Sequence, residues 1–362
     1  MVFTAAALTP TIVFARSAEA PRATLPQLML SRVPSLVLPL SAPDTLPSSG
    51  SASLPGSPGT PASAQPVSTP LSVGSEAELR NWCDPVTRVL PKIKLKPCMR
   101  TGLAPTGAKS VKGLPIMARQ VLSRHKGASP VDEPAARVLV IGGIHGDELT
   151  SSAIVFRWLE WIEQNEAHPY QWQIVPVLNP DGLLAKPATR VNANGVDLNR
   201  NFPTPNWAKE APKYWAVKTS SDPRRFPGKA AISEPESHWL HSEINRFKPD
   251  VIISVHAPFG VLDFDGPLDP PHKLGALILT PVGIYPGSLG NYGGVHQGVP
   301  VVTIELPHAL ELPNDAELKN IWRDMLAWID GNVARKKSGN TKSIISGVRQ
   351  SSLNKVRALT MR

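Results

Sequence analysis

RVLVIGGIHGDE, residues 137–148, is the stretch on which the reading of the fold turns. Val138 to Ile141 form a short apolar run of the kind that fills a buried strand, and Gly142-Gly143 lets the chain turn sharply as it leaves. The strand therefore ends in a loop carrying His145 and Glu148. An imidazole and a carboxylate three residues apart can converge on one zinc ion, with ligand bonds of about 2.0–2.2 Å. H-x-x-E is by itself a common chance pattern, so its meaning depends on what the rest of the chain brings to the same place. Directly after it, Val155, Trp158, Leu159 and Ile162 recur at i, i+3, i+4 and i+7, which predicts a helix with one buried face. Strand, loop and helix together predict an α/β sheet.

Outward from that centre, Thr106 to Val121 alternates polar and apolar residues around a Lys-Gly turn and reads as an edge hairpin. Gln173 to Leu178 reads as a second apolar strand, running into the turn sequence Asn179-Pro180-Asp181-Gly182. ATRVNANGVDLNRNFP, residues 188–203, follows with low propensity for helix or strand, and carries Arg190, Asn199 and Arg200. Arginine offers paired donors in a fixed fork, which suits it to holding carboxylates. Glu234 to Phe247 predicts a helix. Val251 to Val255, VIISV, is apolar on both faces, so it predicts a buried strand with parallel neighbours. His256 follows it at a strand end, as His145 does, and open α/β sheets place their sites at strand ends. Ala276 to Leu279 and Val299 to Ile304 are two more apolar runs, the second delivering Glu305. A glutamate set directly after a buried strand is costly unless it has a partner, and a metal-bound water is one such partner. Asn314 and Glu317 have capping-box spacing ahead of a helix whose Leu318, Ile321, Trp322, Met325, Leu326 and Ile329 share an apolar face.

HGDE, TRVNANGVDLNRNFP, ISVHAP and TIELP, in that order and at compatible spacing, resemble the zinc metallocarboxypeptidase family M14 over roughly residues 107–331. The resemblance implies a mixed, mostly parallel central sheet with helices on both faces. It also implies one zinc ion held by His145, Glu148 and His256. It assigns Arg190 to polarising the scissile carbonyl, Asn199 and Arg200 to the terminal carboxylate of the substrate, and Glu305 to general base catalysis. Asp147 stands where digestive members carry arginine. HAPFGVLDFDGP and YPGSLGNYGG resemble the bacterial murein peptide amidase branch, which cuts the γ-D-glutamyl to meso-diaminopimelate amide. A murein peptide is then the expected partner. Its diaminopimelate carries a distal ammonium, which Asp263 and Asp265 would suit; the other reading of that pair is turn residues. Tyr285 and Tyr292 receive no role. Two alternatives come from other classes: an N-acyl amino acid deacylase of the succinylglutamate desuccinylase and aspartoacylase branch, and a zinc-free protein that only binds wall peptide.

Composition sets the surroundings of this domain. Residues 1–74 hold twelve of the 39 prolines, two aromatics and almost no charge, and are expected to be disordered because they cannot bury enough apolar surface to order themselves. Within them, residues 1–20 resemble a secretory signal, an apolar stretch followed by small residues at Ala18 and Ala20, although no basic residue precedes Arg16. Periplasmic or exported location is the expectation, with residues 21–74 as a linker. Residues 75–105 form a small segment holding the only cysteines, Cys83 and Cys98, an even pair that predicts one disulfide. Eight basic residues and no acid from 332 to 362 account for all but one of the +9 formal charge. A nucleic-acid-binding surface is therefore not expected, and residues 332–362 read as a basic tail. No unbroken apolar run reaches membrane-spanning length.

Overall fold

The apolar run at 138–141 divides its side chains between two cores. In a computed structural model, described for residues 75–123, 135–164 and 169–334, this run is the middle of a seven-stranded sheet. The signal, linker and most of the basic tail expected from the sequence lie outside the described residues. The strands are β1 (Ala104–Lys109), β2 (Pro115–Val121), β3 (Arg137–Ile141), β4 (Gln171–Val175), β5 (Val251–His256), β6 (Val261–Asp265) and β9 (Val301–Glu305). Their order is β1-β2-β4-β3-β5-β9-β6. The four central strands, β4, β3, β5 and β9, run parallel, while β1, β2 and β6 are antiparallel to their neighbours. This is the mixed, mostly parallel sheet that the sequence predicts.

Successive side chains of a strand face opposite sides. Val138 and Val140 accordingly join one core, built with α1 (Glu76–Val89), α3 (Leu149–Gln164) and α7 (Asp315–Ile329). Leu139 and Ile141 join the other, built with α6 (Pro235–Phe247). Helices therefore cover both faces. β5, between β3 and β9, is buried at all six positions, as a run apolar on both faces predicts.

The cysteine segment is part of the first core. Ser75 caps α1 reciprocally with Glu78, and Leu79, Trp82, Cys83 and Val86 turn inward. Trp82 Nε1 donates to Pro115 O at 3.1 Å. A disulfide joins Cys83 to Cys98, which lies on α2 (Leu95–Arg100), with the Cα atoms 6.0 Å apart.

Three elements differ from the sequence reading. The run expected as a strand over 173–178 is β4, two residues earlier, and it leaves the sheet after Val175 because Pro176 has no N–H for the ladder. The turn sequence that follows forms a single helical turn, α4 (Pro180–Leu183), capped by Asn179. The run at 276–279 does not enter the sheet. It contributes β8 (Leu277–Ile278), paired with β7 (Lys273–Leu274) in a separate two-stranded ribbon. A further helix, α5 (Trp207–Lys218), occupies a stretch for which no element is expected.

Candidate metal centre and active site

Parallel strands bring their carboxyl ends to one edge of the sheet, and the register fixes which residues meet there. Ile141 of β3 pairs with Ser254 of β5, and His256 pairs with Glu305 of β9. The β3 loop presses closely on the turn after β4: a side chain at Gly146 would strike the backbone of Gly182 and Leu183. Only glycine permits that approach, and it fixes His145 and Glu148 over the end of β5.

His145 Nδ1 lies 2.8 Å from Glu148 Oε1, and His256 Nδ1 lies 3.2 Å from both His145 Nδ1 and Glu148 Oε2. The second nitrogen of each ring is held from behind. His145 Nε2 is 3.1 Å from Asp197 Oδ1, and His256 Nε2 is 3.0 Å from Ser254 Oγ. Burial would raise the Asp197 carboxyl, but Arg190 and His145 hold it well below the usual range, so it is ionised and only accepts. His145 therefore carries its hydrogen on Nε2 and turns the Nδ1 lone pair inward.

Three lone-pair donors packed this closely repel one another unless they share a cation. Zinc with tetrahedral bonds of about 2.0–2.1 Å separates its donors by about 3.3 Å, close to the spacings seen here. The set of two imidazoles and one carboxylate, all buried, fits zinc. Burial would also raise Glu148, yet the facing His145 and His256 hold it below the ordinary carboxylate value.

The other residues singled out in the sequence line the same cavity, of about 330 Å³. Arg190 stands beside the metal ligands, donating from Nε to Asp197 Oδ2 at 3.0 Å and from Nη1 to Glu148 Oε1 at 3.3 Å. Arg200 is 6% exposed, with its guanidinium 4.5 Å over the Tyr285 ring and its Nε unpartnered among the described residues. Burial, with Arg190 and Arg225 nearby, lowers its pKa. Asn199 accepts from Leu289 N through Oδ1 at 2.8 Å. Glu305, also 6% exposed, ends β9 with Oε2 unpartnered. Burial and the charge of Glu148 push its pKa up, against the pull of His256 and His145. Asp263 and Asp265 line the cavity from β6.

Four residues were not singled out. Asp197 orients both His145 and Arg190; it lies inside the quoted D-L-N-R run, which was the available signal. Ser254 backs His256 from within an otherwise apolar strand. At the mouth, Arg224 donates to Asp147 Oδ2 at 2.8 Å, and Arg225 stands beside it. Tyr285 lines the cavity, whereas Tyr292 is buried in the second core, stacked on Phe202.

Residues 104–262 match the model of the zinc carboxypeptidase family. The chain is 32% identical over 215 residues to murein peptide amidase A of Vibrio campbellii, covering 57% of this chain and 80% of that protein. It is 33% identical over 167 residues to murein peptide amidase A of Escherichia coli K12, covering 42% of this chain and 64% of that protein. A crystal structure of a murein-tripeptide amidase from Escherichia coli O157 aligns with a TM-score of 0.41 at 26% identity, over 60% of this chain and 87% of that one. With the ligand set in place and a relative matched over most of its length, the chain belongs to the zinc carboxypeptidase family M14 and is a zinc-dependent hydrolase.

Proposed function

We propose that this enzyme hydrolyses the amide between the γ-carboxyl of D-glutamate and meso-diaminopimelate in murein peptides. The observation that carries the reading is a pair of buried atoms in one cavity without hydrogen-bond partners among the described residues, Glu305 Oε2 and Arg200 Nε. The substrate class comes from the relatives, two of which are named murein peptide amidases.

Zinc held by His145, Glu148 and His256 supplies Lewis acidity, which acidifies water and polarises a carbonyl. The chain's own residues do the rest. Arg190, fixed by Asp197, presents a guanidinium beside the scissile carbonyl and stabilises negative charge on its oxygen. Glu305 takes a proton from water onto Oε2 as the new C–O bond forms, and returns it to the leaving nitrogen as the C–N bond breaks. Arg200 and Asn199 hold the α-carboxylate of the leaving residue, so that the reacting amide is placed rather than merely bound.

Incubating the zinc-loaded enzyme with L-Ala-γ-D-Glu-meso-diaminopimelate should yield L-Ala-D-Glu and free diaminopimelate by mass. Release of ordinary C-terminal L-residues from α-peptides, with no cleavage of this tripeptide, would overturn the assignment.

A further inference from the structure

Asn192 and Asn201 stand on either side of Asp197, Asn199 and Arg200 in the irregular run after Arg190, and neither lines the cavity. Both are buried, at 3% and 0% exposure. Irregular chain has no ladder to satisfy its backbone, so buried side chains must hold it. Asn192 folds the first half of the run onto itself: Oδ1 accepts from Asn194 N and Val196 N, each at 3.1 Å, and its own N–H donates to Val196 O at 3.0 Å. That turn ends one residue before Asp197. Asn201 closes the second half, its N–H donating to Leu198 O at 3.2 Å across the single 3₁₀ turn Leu198–Arg200.

The far ends of both side chains reach the start of α6. Asn192 Nδ2 donates to Glu234 Oε2 at 2.7 Å and to Glu236 Oε2 at 3.1 Å, and Asn194 Nδ2 joins it on Glu234 Oε2 at 2.8 Å. Asn201 Oδ1 accepts from Glu234 N at 3.3 Å and from Ser237 Oγ at 2.6 Å, while Nδ2 donates to Pro227 O and Ala230 O at 2.7 and 2.9 Å. Backbone N–H groups only donate and carbonyls only accept, so each amide has a single orientation. Glu234 is the N-cap residue of α6, yet its side chain makes no capping bond; the carboxylate is turned to the run instead. α6 is a rigid seat, because Leu240, Ile244 and Phe247 bury it in the second core.

We propose that Asn192 and Asn201 are positioning residues that hold the two ends of this run separately. Asn192 acts through Asp197, which bonds to both His145 and Arg190. Asn201 acts through its neighbour Arg200, and so on the terminal carboxylate of the substrate. One helix end thereby sets the distance between the metal end and the carboxylate end of the site. This deepens the proposed function and rests on it for the roles of Arg190 and Arg200, whatever the substrate.

The test compares the full, zinc-loaded wild type with Asn192→Ala and Asn201→Ala. Zinc affinity is read by chelator competition, and kcat and KM on L-Ala-γ-D-Glu-meso-diaminopimelate. Losing an interaction made only in the transition state lowers kcat, whereas losing ground-state binding raises KM. Asn192→Ala should weaken zinc binding and lower kcat, each by at least about tenfold, with KM nearly unchanged. Asn201→Ala should raise KM by at least about tenfold and leave zinc affinity unchanged. A merely structural role would lower Tm in both variants and leave kcat per folded enzyme, KM and zinc affinity unsplit. The same signatures should appear from the helix side. Glu234→Ala should reproduce Asn192→Ala, and Glu234→Gln, which keeps an acceptor for Asn192, should restore zinc affinity and kcat. Ser237→Ala should raise KM as Asn201→Ala does, and these helix variants decide the matter where an asparagine variant fails to fold. Parallel losses in the two asparagine variants, or unchanged zinc affinity in Asn192→Ala, would overturn the division. A wild type that leaves the tripeptide intact would remove the murein reading, and zinc affinity would then decide alone: weakened only in Asn192→Ala it supports the clamp, and equal in both variants it overturns it.

Discussion

Asp197 bonds to the His145 ring with one oxygen and to Arg190 with the other, so a single carboxylate fixes a metal ligand and the guanidinium proposed to act beside it. Carboxylates behind metal-binding histidines typically contribute ten- to a hundredfold in metal affinity. Asp197→Asn should weaken zinc binding by about that factor, read by competition against a chromophoric chelator; an unchanged dissociation constant would remove the orienting role. Glu305→Gln acts differently, because Glu305 is not a ligand. It should keep stoichiometric zinc and lose at least about a hundredfold in kcat, and near-normal turnover would mean that another group is the base. Asp265 gives the third prediction at this scale. Its folded-state pKa, about 6, lies above the ordinary 3.8, so the native state holds the proton more tightly than the unfolded chain. Stability is therefore lost as pH rises through that window, and the loss is complete above it. Asp265→Asn should raise Tm at pH 7.5 and leave it nearly unchanged at pH 4, where the wild-type side chain is itself neutral. An equal shift at both pH values would show that the carboxylate is not destabilising. The metal ligands were legible as residues because strand ends and spacing pick them out. Asp197's part was not, because no local pattern says which ring a loop carboxylate will face.

At the scale of elements, what the sequence showed and what it hid have one cause: periodicity is visible only where burial is one-sided or complete. β3, β5 and β9 are nearly continuous apolar runs, and α7 keeps a clean apolar face, so each is plain in the sequence. α5 buries only Trp207 and Ala211 and contains Pro212, which leaves almost no pattern to read. α1 has an inward face but is interrupted by Pro85, and its role depends on a distant partner, α2, through Cys83–Cys98. That link spans 15 residues, which on the chain-entropy model is worth about 3 kcal/mol. Because both cysteines are buried in the first core, replacing both by alanine should lower Tm by about 6–12 °C, at 2–4 °C per kcal/mol for a domain of this size. A change under about 1 °C by calorimetry would show that α1 and α2 hold their places through packing alone.

At the scale of the molecule, two cores lie on opposite faces of one sheet, and the metal ligands gather at the edge where those faces meet. Three buried donors facing one another strain that edge when nothing screens them, so zinc binds the native state and not the unfolded chain. Chelation should lower Tm by several degrees and added zinc should restore it, with the shift growing as free zinc rises above its dissociation constant. Glu305→Gln should show the same shift and Glu148→Gln a much smaller one. Equal shifts in the two variants would place Glu148 outside the ligand set.

The buried Arg200 has a consequence for the order in which a wall peptide is dismantled. Under the proposed function, a guanidinium that far from solvent would pair with a carboxylate at the end of a chain and not with an amide continuing past it, which lacks the charge. A stem peptide that still extends beyond diaminopimelate would then carry the wrong charge at this point. Cleavage would wait until a different hydrolysis has exposed that carboxylate, which would make this enzyme the later of two steps, its timing set by the neighbour that trims first.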